Sequence, residues 1–365
     1  MFGLPQLKQQ IEVTDTTVEC PVKKCSIKVP RQRKVFTRDE KFKCPRHQIY
    51  ISPSTFEYQR EEDNLLWKDK HELALLSEIK KVKRESRMAR DNSEDAVTWN
   101  VFRFLERNNL VEKIVNSLIE ASLDSSEVIY WSYSQNERNS WSYLNRARQE
   151  FGEEIKRSSE PDIIIVATKA LIFLEAKLTA SNETIPTNLD NPKKYISGGN
   201  NWFKKVFRSS YETVAIKEKK YELLRFWLLG SWLANELGLD YYLINLVLSS
   251  REKDIGDVFG RHIIETHHRK FMRLTWEDIY QQILVQSGGG PGRKTILNYF
   301  KNKTIGYDGK GRLQRAFLVG EFKYLLSYSY LSKIYQFLFL LILRLYFLFL
   351  YKNVYYPEIS LILQV

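Results

Sequence analysis

Along the chain, apolar residues fall into short β-type runs and longer helical stripes. The clearest runs are Asp162-Ile163-Ile164-Ile165-Val166, which breaks at Lys169-Ala170, and Leu171-Ile172-Phe173-Leu174, which leads directly into Glu175-Ala176-Lys177. Two such runs across a short break predict a hairpin. Charge stands at its two ends. Upstream, Glu61 to Arg90 carries one apolar stripe of Leu65, Leu66, Leu73, Leu76 and Ile79 among many charges, the pattern of a connector helix. Ser93 is set to cap a second helix, on which Glu94 shares a face with Val97, Thr98, Val101 and Leu105. One acid is thus in line with core residues.

After the hairpin, residues 181 to 210 read as a long loop with basic and aromatic residues interleaved, a pattern that favours binding over mere connection. Helix resumes over 214 to 238, and "DYYLINLVLSS" reads as a buried strand. Another helix follows, then one opened by Thr275 with Asp278 as a capping-box variant. The order helix, hairpin, helix, strand, helix predicts an α/β fold without internal repeats. Ahead of it, residues 18 to 60 are rich in Lys, Arg, Pro and Cys and read as short strands and knuckles.

The hairpin end is where chemistry is expected. Side chains alternate faces along a strand, so Glu175 and Lys177 point one way and Ala176 the other. Pairing of the first strand brings Asp162 toward them, with Pro161 fixing the chain just before it. Carboxylates held close repel and raise each other's pKa, a conflict that a divalent cation removes. Mg²⁺ takes carboxylate, water and phosphate oxygens. Asp162 and Glu175 are the expected ligands, with the Ala176 carbonyl as a third oxygen. Lys177 is expected to orient or deprotonate a water and to offset charge on a pentacovalent phosphate. The competing reading is ordinary surface charge ending an apolar hairpin.

The only cysteines are Cys20, Cys25 and Cys44. Cys20-x4-Cys25 and Cys44-x2-His47 form two knuckle-like pairs able to supply three thiolates and an imidazole to a structural Zn²⁺. Three unrelated buried thiols and a surface histidine are the alternative. His262, His267 and His268 read as a polar helix face and receive no role.

Composition adds a partner class. With 365 residues, a net charge of +12 and 43% hydrophobic residues, the chain reads as globular and attracted to polyanions, nucleic acid or an anionic membrane. No secretory signal pattern opens it, so the expected compartment is cytoplasmic.

Pro161-Asp162 and Glu175-Ala176-Lys177 together resemble the signature of the PD-(D/E)xK nuclease superfamily, and the likeness in element order spans roughly residues 91 to 320. The resemblance implies a restriction-endonuclease-like α/β core, a mixed sheet flanked by helices with the signature on a central hairpin. It also implies that a glutamate of the first helix joins the metal ligands. Glu94 matches that position better than Asp95, which is expected to face Trp99 and Phe102. A Gln-x-x-x-Tyr element of some members is incomplete here, since Tyr221 lies in "EKKYELLRFW" without the Gln.

The expected organisation is a zinc-binding module (1–60), a charged connector helix (61–90), the nuclease core (91–320) and an apolar tail (321–365). The expected function is Mg²⁺-dependent hydrolysis of DNA, in restriction, genome defence or repair, with Glu94, Asp162, Glu175 and Lys177 as catalytic residues. DNA and a second copy of the chain are the expected partners. The rival readings are an inactive nucleic-acid-binding protein on the same fold and a membrane-associated protein carried by the tail.

That tail differs from the body. After Phe322 no Gly, Ala, Asp, Thr, Met, Cys, Trp or His occurs. Residues 334–351 are long enough to span a bilayer, and their Leu, Ile and Phe, at about −0.3 to −0.6 kcal/mol each, outweigh Arg344 at about +3. The missing residue types, however, favour AT-rich coding read out of frame over either a span or a core helix. Translating the gene's other two frames beyond Phe322 tests this, and a continuation containing Gly, Ala and Asp is the expected result.

Overall fold

Why these residues form a sheet is plainest at its centre, where Ile163–Ala167 and Ala170–Ala176 bury nearly every side chain on both faces. Only a strand covered on both sides tolerates so continuous an apolar run. The computed structural model describes residues 1–319 apart from 34, 84, 120–121, 155–157 and 188–190. The apolar tail from 321, with the span, frame and core-helix readings attached to it, lies outside the described residues.

In chain order, the N-terminal part holds β1 (Thr17–Glu19) paired with β2 (Lys28–Pro30), then β3 (Lys43–Cys44), β4 (Ile49–Ile51) and β5 (Phe56–Tyr58) as an antiparallel three-stranded sheet. Next come α1 (Lys70–Val82), α2 (Glu94–Arg107) and α3 (Val111–Ile119), then β6 (Ser126–Tyr130), β7 (Tyr133–Ser134), β8 (Asn139–Ser140) and α4 (Ser142–Glu150). The hairpin is β9 (Ile163–Ala167) and β10 (Ala170–Ala176). It is followed by α5 (Lys193–Asn201), α6 (Phe203–Val206), α7 (Tyr221–Leu237), β11 (Asp240–Val247), α8 (Ile255–Gly260) and β12 (Arg269–Thr275). Finally, α9 (Trp276–Gln286) and α10 (Arg293–Asn302) lead into the hairpin β13 (Thr304–Tyr307) and β14 (Leu313–Arg315).

Among the described residues, seven strands form one mixed sheet in the order β12-β11-β10-β9-β6-β7-β8, flanked by helices. β10, β11 and β12 run parallel, while β9 is antiparallel to both β10 and β6. The hairpin is therefore interior. Three local expectations change. The connector stripe splits into a 3-10 turn at Glu61–Asn64 and α1, because the Asp69 side chain caps a fresh start by accepting from the Glu72 amide at 3.1 Å. The long loop contains α5 and α6. β12 is an edge strand whose charged, half-buried residues hid it from an apolar-run search.

α7 sits close over the sheet through Gly230. A Cβ there would lie 2.3 Å from the Tyr241 hydroxyl, which donates to the Phe226 carbonyl at 2.7 Å. Glycine inside a helix ordinarily costs about 1 kcal/mol relative to alanine. Here the close approach reverses that preference. Gly230→Ala is expected to lower stability by about 1–3 kcal/mol through overpacking; urea unfolding checks the sign, and a stabilised variant would show that α7 rides higher than described.

Candidate active site and metal centre

The register carries the geometry. Leu174 faces Ile163 across the antiparallel pair, so one step further Asp162 stands opposite Glu175, while Glu175 pairs with Asn245 on the parallel side. Asp162 Oδ2 accepts from the Ala176 amide at 2.8 Å and Oδ1 from Trp131 Nε1 at 3.0 Å. The Lys177 ammonium donates to Glu175 Oε1 and, at 3.1 Å, to Glu222 Oε2. Three of the sequence-predicted residues thus converge at the end of the central hairpin.

Glu94 arrives differently. Ser93 caps α2 by accepting from the Ala96 amide, and Glu94 Oε1 accepts from the amides of Leu178 at 2.8 Å and Ala180 at 3.2 Å. It clamps the chain leaving β10. Among the described residues, the oxygens of Glu94, Asp162 and Glu175 do not gather within 4.8 Å as the cysteine–histidine set does. Asp95 reaches the end of α1, bonding Lys83 Nζ at 3.2 Å and the Arg87 amide.

Loss of water dominates the electrostatics. Burial pushes Asp162 up to about 7, with Asp95 adding to the rise and Lys177, Lys83 and the Ala176 amide opposing it. Glu175 is raised well above the usual carboxylate range by burial, then by Glu222 and Asp162. For Lys177 burial acts against the charge, yet Glu175, Glu222, Asp162 and Glu94 outweigh it and hold the group well above the ordinary lysine value. It is an ammonium. That direction favours orientation of a water and charge compensation over deprotonation.

Sequence reasoning missed Glu222, Trp131 and a polar patch beside Glu175. Glu222 lies in the first turn of α7, where an acid is ordinary, so nothing marked it. Behind Glu175's neighbour Asn245, Asn182 donates to Asn245 Oδ1 and to Glu252 Oε2, both at 2.7 Å. Tyr221 bonds Tyr195 at 3.1 Å. The histidines form no helix face: His262 is buried against Ser209, and His268 pairs with Asp240.

The second constellation is tighter. Cys20, Cys25 and Cys44 are buried and unbridged, and with His47 they bring their donor atoms within 4.8 Å of one another. Cys25 and Cys44 Sγ are 3.8 Å apart, and His47 Nδ1 lies 3.4 Å from Cys20 Sγ and 3.7 Å from Cys44 Sγ. A tetrahedron with Zn–S near 2.3 Å and Zn–N near 2.05 Å has edges of about 3.8 and about 3.6 Å. The spacing suits such an ion. Burial raises the Cys20 thiol, with Cys44 adding to the rise, and burial lowers His47, with Arg46 adding to that. Nδ1 of a neutral ring is a ready ligand. Two left-handed residues, Lys24 and Gln48, turn the knuckles, and the Gln48 amide bonds the Cys44 carbonyl at 2.9 Å.

Comparison with protein-family models, curated proteins and solved structures finds no match for the chain. Among the described residues no helix is long and apolar enough to cross a membrane. The Cys₃His group can hold a metal ion such as zinc. Elemental analysis of the full chain is expected to give one zinc per molecule, and Cys44→Ser is expected to lose it together with several kcal/mol of stability. Stoichiometric absence of zinc without chelator would overturn that assignment.

Proposed function

We propose that the chain is a divalent-cation-dependent deoxyribonuclease with a restriction-endonuclease-like core, a structural zinc in its N-terminal part and DNA as substrate. The observation that carries this reading is Asp162 opposite Glu175 at the end of an interior hairpin, with the Lys177 ammonium beside them. Two desolvated carboxylates with raised pKa values are a donor set in want of a cation, and carboxylate oxygen is the ligand type that Mg²⁺ takes. When bound there, Mg²⁺ supplies Lewis-acid polarisation and a water of lowered pKa. Asp162 and Glu175 would hold it. Glu94 fixes the outgoing chain and adds negative charge. Lys177 meets charge that develops on phosphate.

One observation favours the rival, a DNA-binding protein without catalysis: the carboxylate oxygens are bonded to protein donors and are not drawn together. Plasmid cleavage decides between them. Wild type is expected to nick or cut DNA with Mg²⁺ and not with EDTA. Asp162→Ala, Glu175→Ala and Lys177→Ala are each expected to lose about a hundredfold or more in rate while retaining DNA binding. A Lys177→Ala protein cutting at the wild-type rate, or a wild type that binds but never cuts, would sink the catalytic reading.

A further inference from the structure

The Lys177 ammonium has two carboxylate partners, and only one of them belongs to the proposed cation site. Glu175 is needed for the cation. Glu222 stands on another element, its amide bonded to Thr184 Oγ1 at 2.9 Å and its side chain 32% exposed. Thr184 fixes that start of α7, because its carbonyl accepts from the Tyr221 amide at 3.1 Å and its own amide bonds the Lys219 carbonyl at 2.7 Å. The second partner is therefore held in place independently of the hairpin.

A cation approaching Glu175 meets an ammonium already bonded to the same carboxylate. Two positive charges on one carboxylate repel, so the ammonium has to yield. Lys177 is 11% exposed, and leaving it unpaired there is costly. Glu222 gives it a carboxylate to keep. We infer that Glu222 is a positioning residue that receives the Lys177 ammonium and so releases Glu175 to a divalent cation. The inference rests on the cation site proposed above. It assigns Glu222 an action through Lys177 and not through contact with the metal.

Non-additivity tests it. Mn²⁺, an oxygen-ligand probe, is titrated into the full chain without DNA, and free Mn²⁺ is followed by its paramagnetic signal. Wild type, Glu222→Gln, Lys177→Met and the double variant are compared, with Asp162→Asn marking which binding belongs to the hairpin site and thermal unfolding showing that each chain is folded. Glu222→Gln is expected to weaken binding by about tenfold, the size of coupling between contacting charged groups, and to have little effect when Lys177 is already Met. Glu222→Asp should restore part of the loss. No weakening in wild type, or a weakening as large in the Lys177→Met background, overturns the inference, since Glu222 would then be inert or would act on the ion directly. If wild type binds no Mn²⁺ sensitive to Asp162→Asn, the cation site itself fails and this role falls with it.

Discussion

Everything at the candidate site depends on one ammonium held out of water between two carboxylates. Without Lys177, Glu175 and Glu222 would lose the cation they share at the end of β10. Its position is over-determined from three sides. The parallel register with β11 sets the height of the strand end, the Trp276 indole bonds the Lys177 carbonyl at 3.2 Å, and the start of α7 delivers Glu222. α7 reaches that place because Gly230 lets it lie against Tyr241. A missing side chain in mid-helix thus bears on the geometry of a charge at the helix start.

Charge balance separates this cluster from the protein's other buried polar groups. Asp91 and Lys303, both fully buried and 3.0 Å apart, are closed by Asn64 and Thr304, so the charges match and the lone pairs are used. Glu153 is likewise closed by Arg225, Tyr195 and Ser159. Removing one partner of such a pair leaves an uncompensated buried charge, worth about 3–5 kcal/mol. Those networks are balanced and structural. At the hairpin end, Asp162, Glu175, Glu222 and Glu94 bear on Lys177, Asp95 and Lys83 lie beside Asp162, and the acids outnumber the cations. An imbalance of this sign asks for a further cation, which is why the hairpin end, and neither of the balanced networks, is the candidate for chemistry.

Legibility followed the length scale of the signal. The hairpin, the Ser93 cap, the Thr275–Asp278 capping box and the strand at Asp240–Val247 were readable because each is written in a few adjacent residues. The Cys₃His group was readable from spacing alone, since few other arrangements use every cysteine. β12 and the β6–β8 strands were not, because the edge strand β12 mixes charged with apolar residues, β6 begins with polar residues, and β7 and β8 are two residues each. At the site, Asp162, Glu175 and Lys177 share a hairpin, and strand alternation is enough to bring them together. Glu222 reaches them only through tertiary packing, 45 residues from Lys177 in sequence. No local pattern encodes that contact.

The cysteine–histidine group and the main sheet are joined by continuous packing. β13 and β14 pack on the N-terminal strands: the Ile11 amide bonds the Gly311 carbonyl at 2.9 Å, the Tyr307 amide bonds the Ser54 carbonyl at 2.8 Å, and Tyr307 shares one apolar cluster with all three cysteines. Just before β13, Lys303 closes the buried pair with Asp91, which lies immediately ahead of the Ser93 cap of α2 and its Glu94. Residues 1–318 accordingly form one compact unit. A metal bound at the knuckles would have a continuous packed route, through that shared cluster and the buried pair, to the helix that clamps the end of β10. The basic stretch between the knuckles, Lys23 to Lys43, is largely answered within the N-terminal part. Lys28, Lys41 and Lys43 pair with Glu12, Asp39 and Glu40, and Arg38 with Glu57, so much of its charge is answered locally. Attraction of the proposed DNA substrate would then come from the net charge of +12 over the whole chain and not from that stretch acting alone.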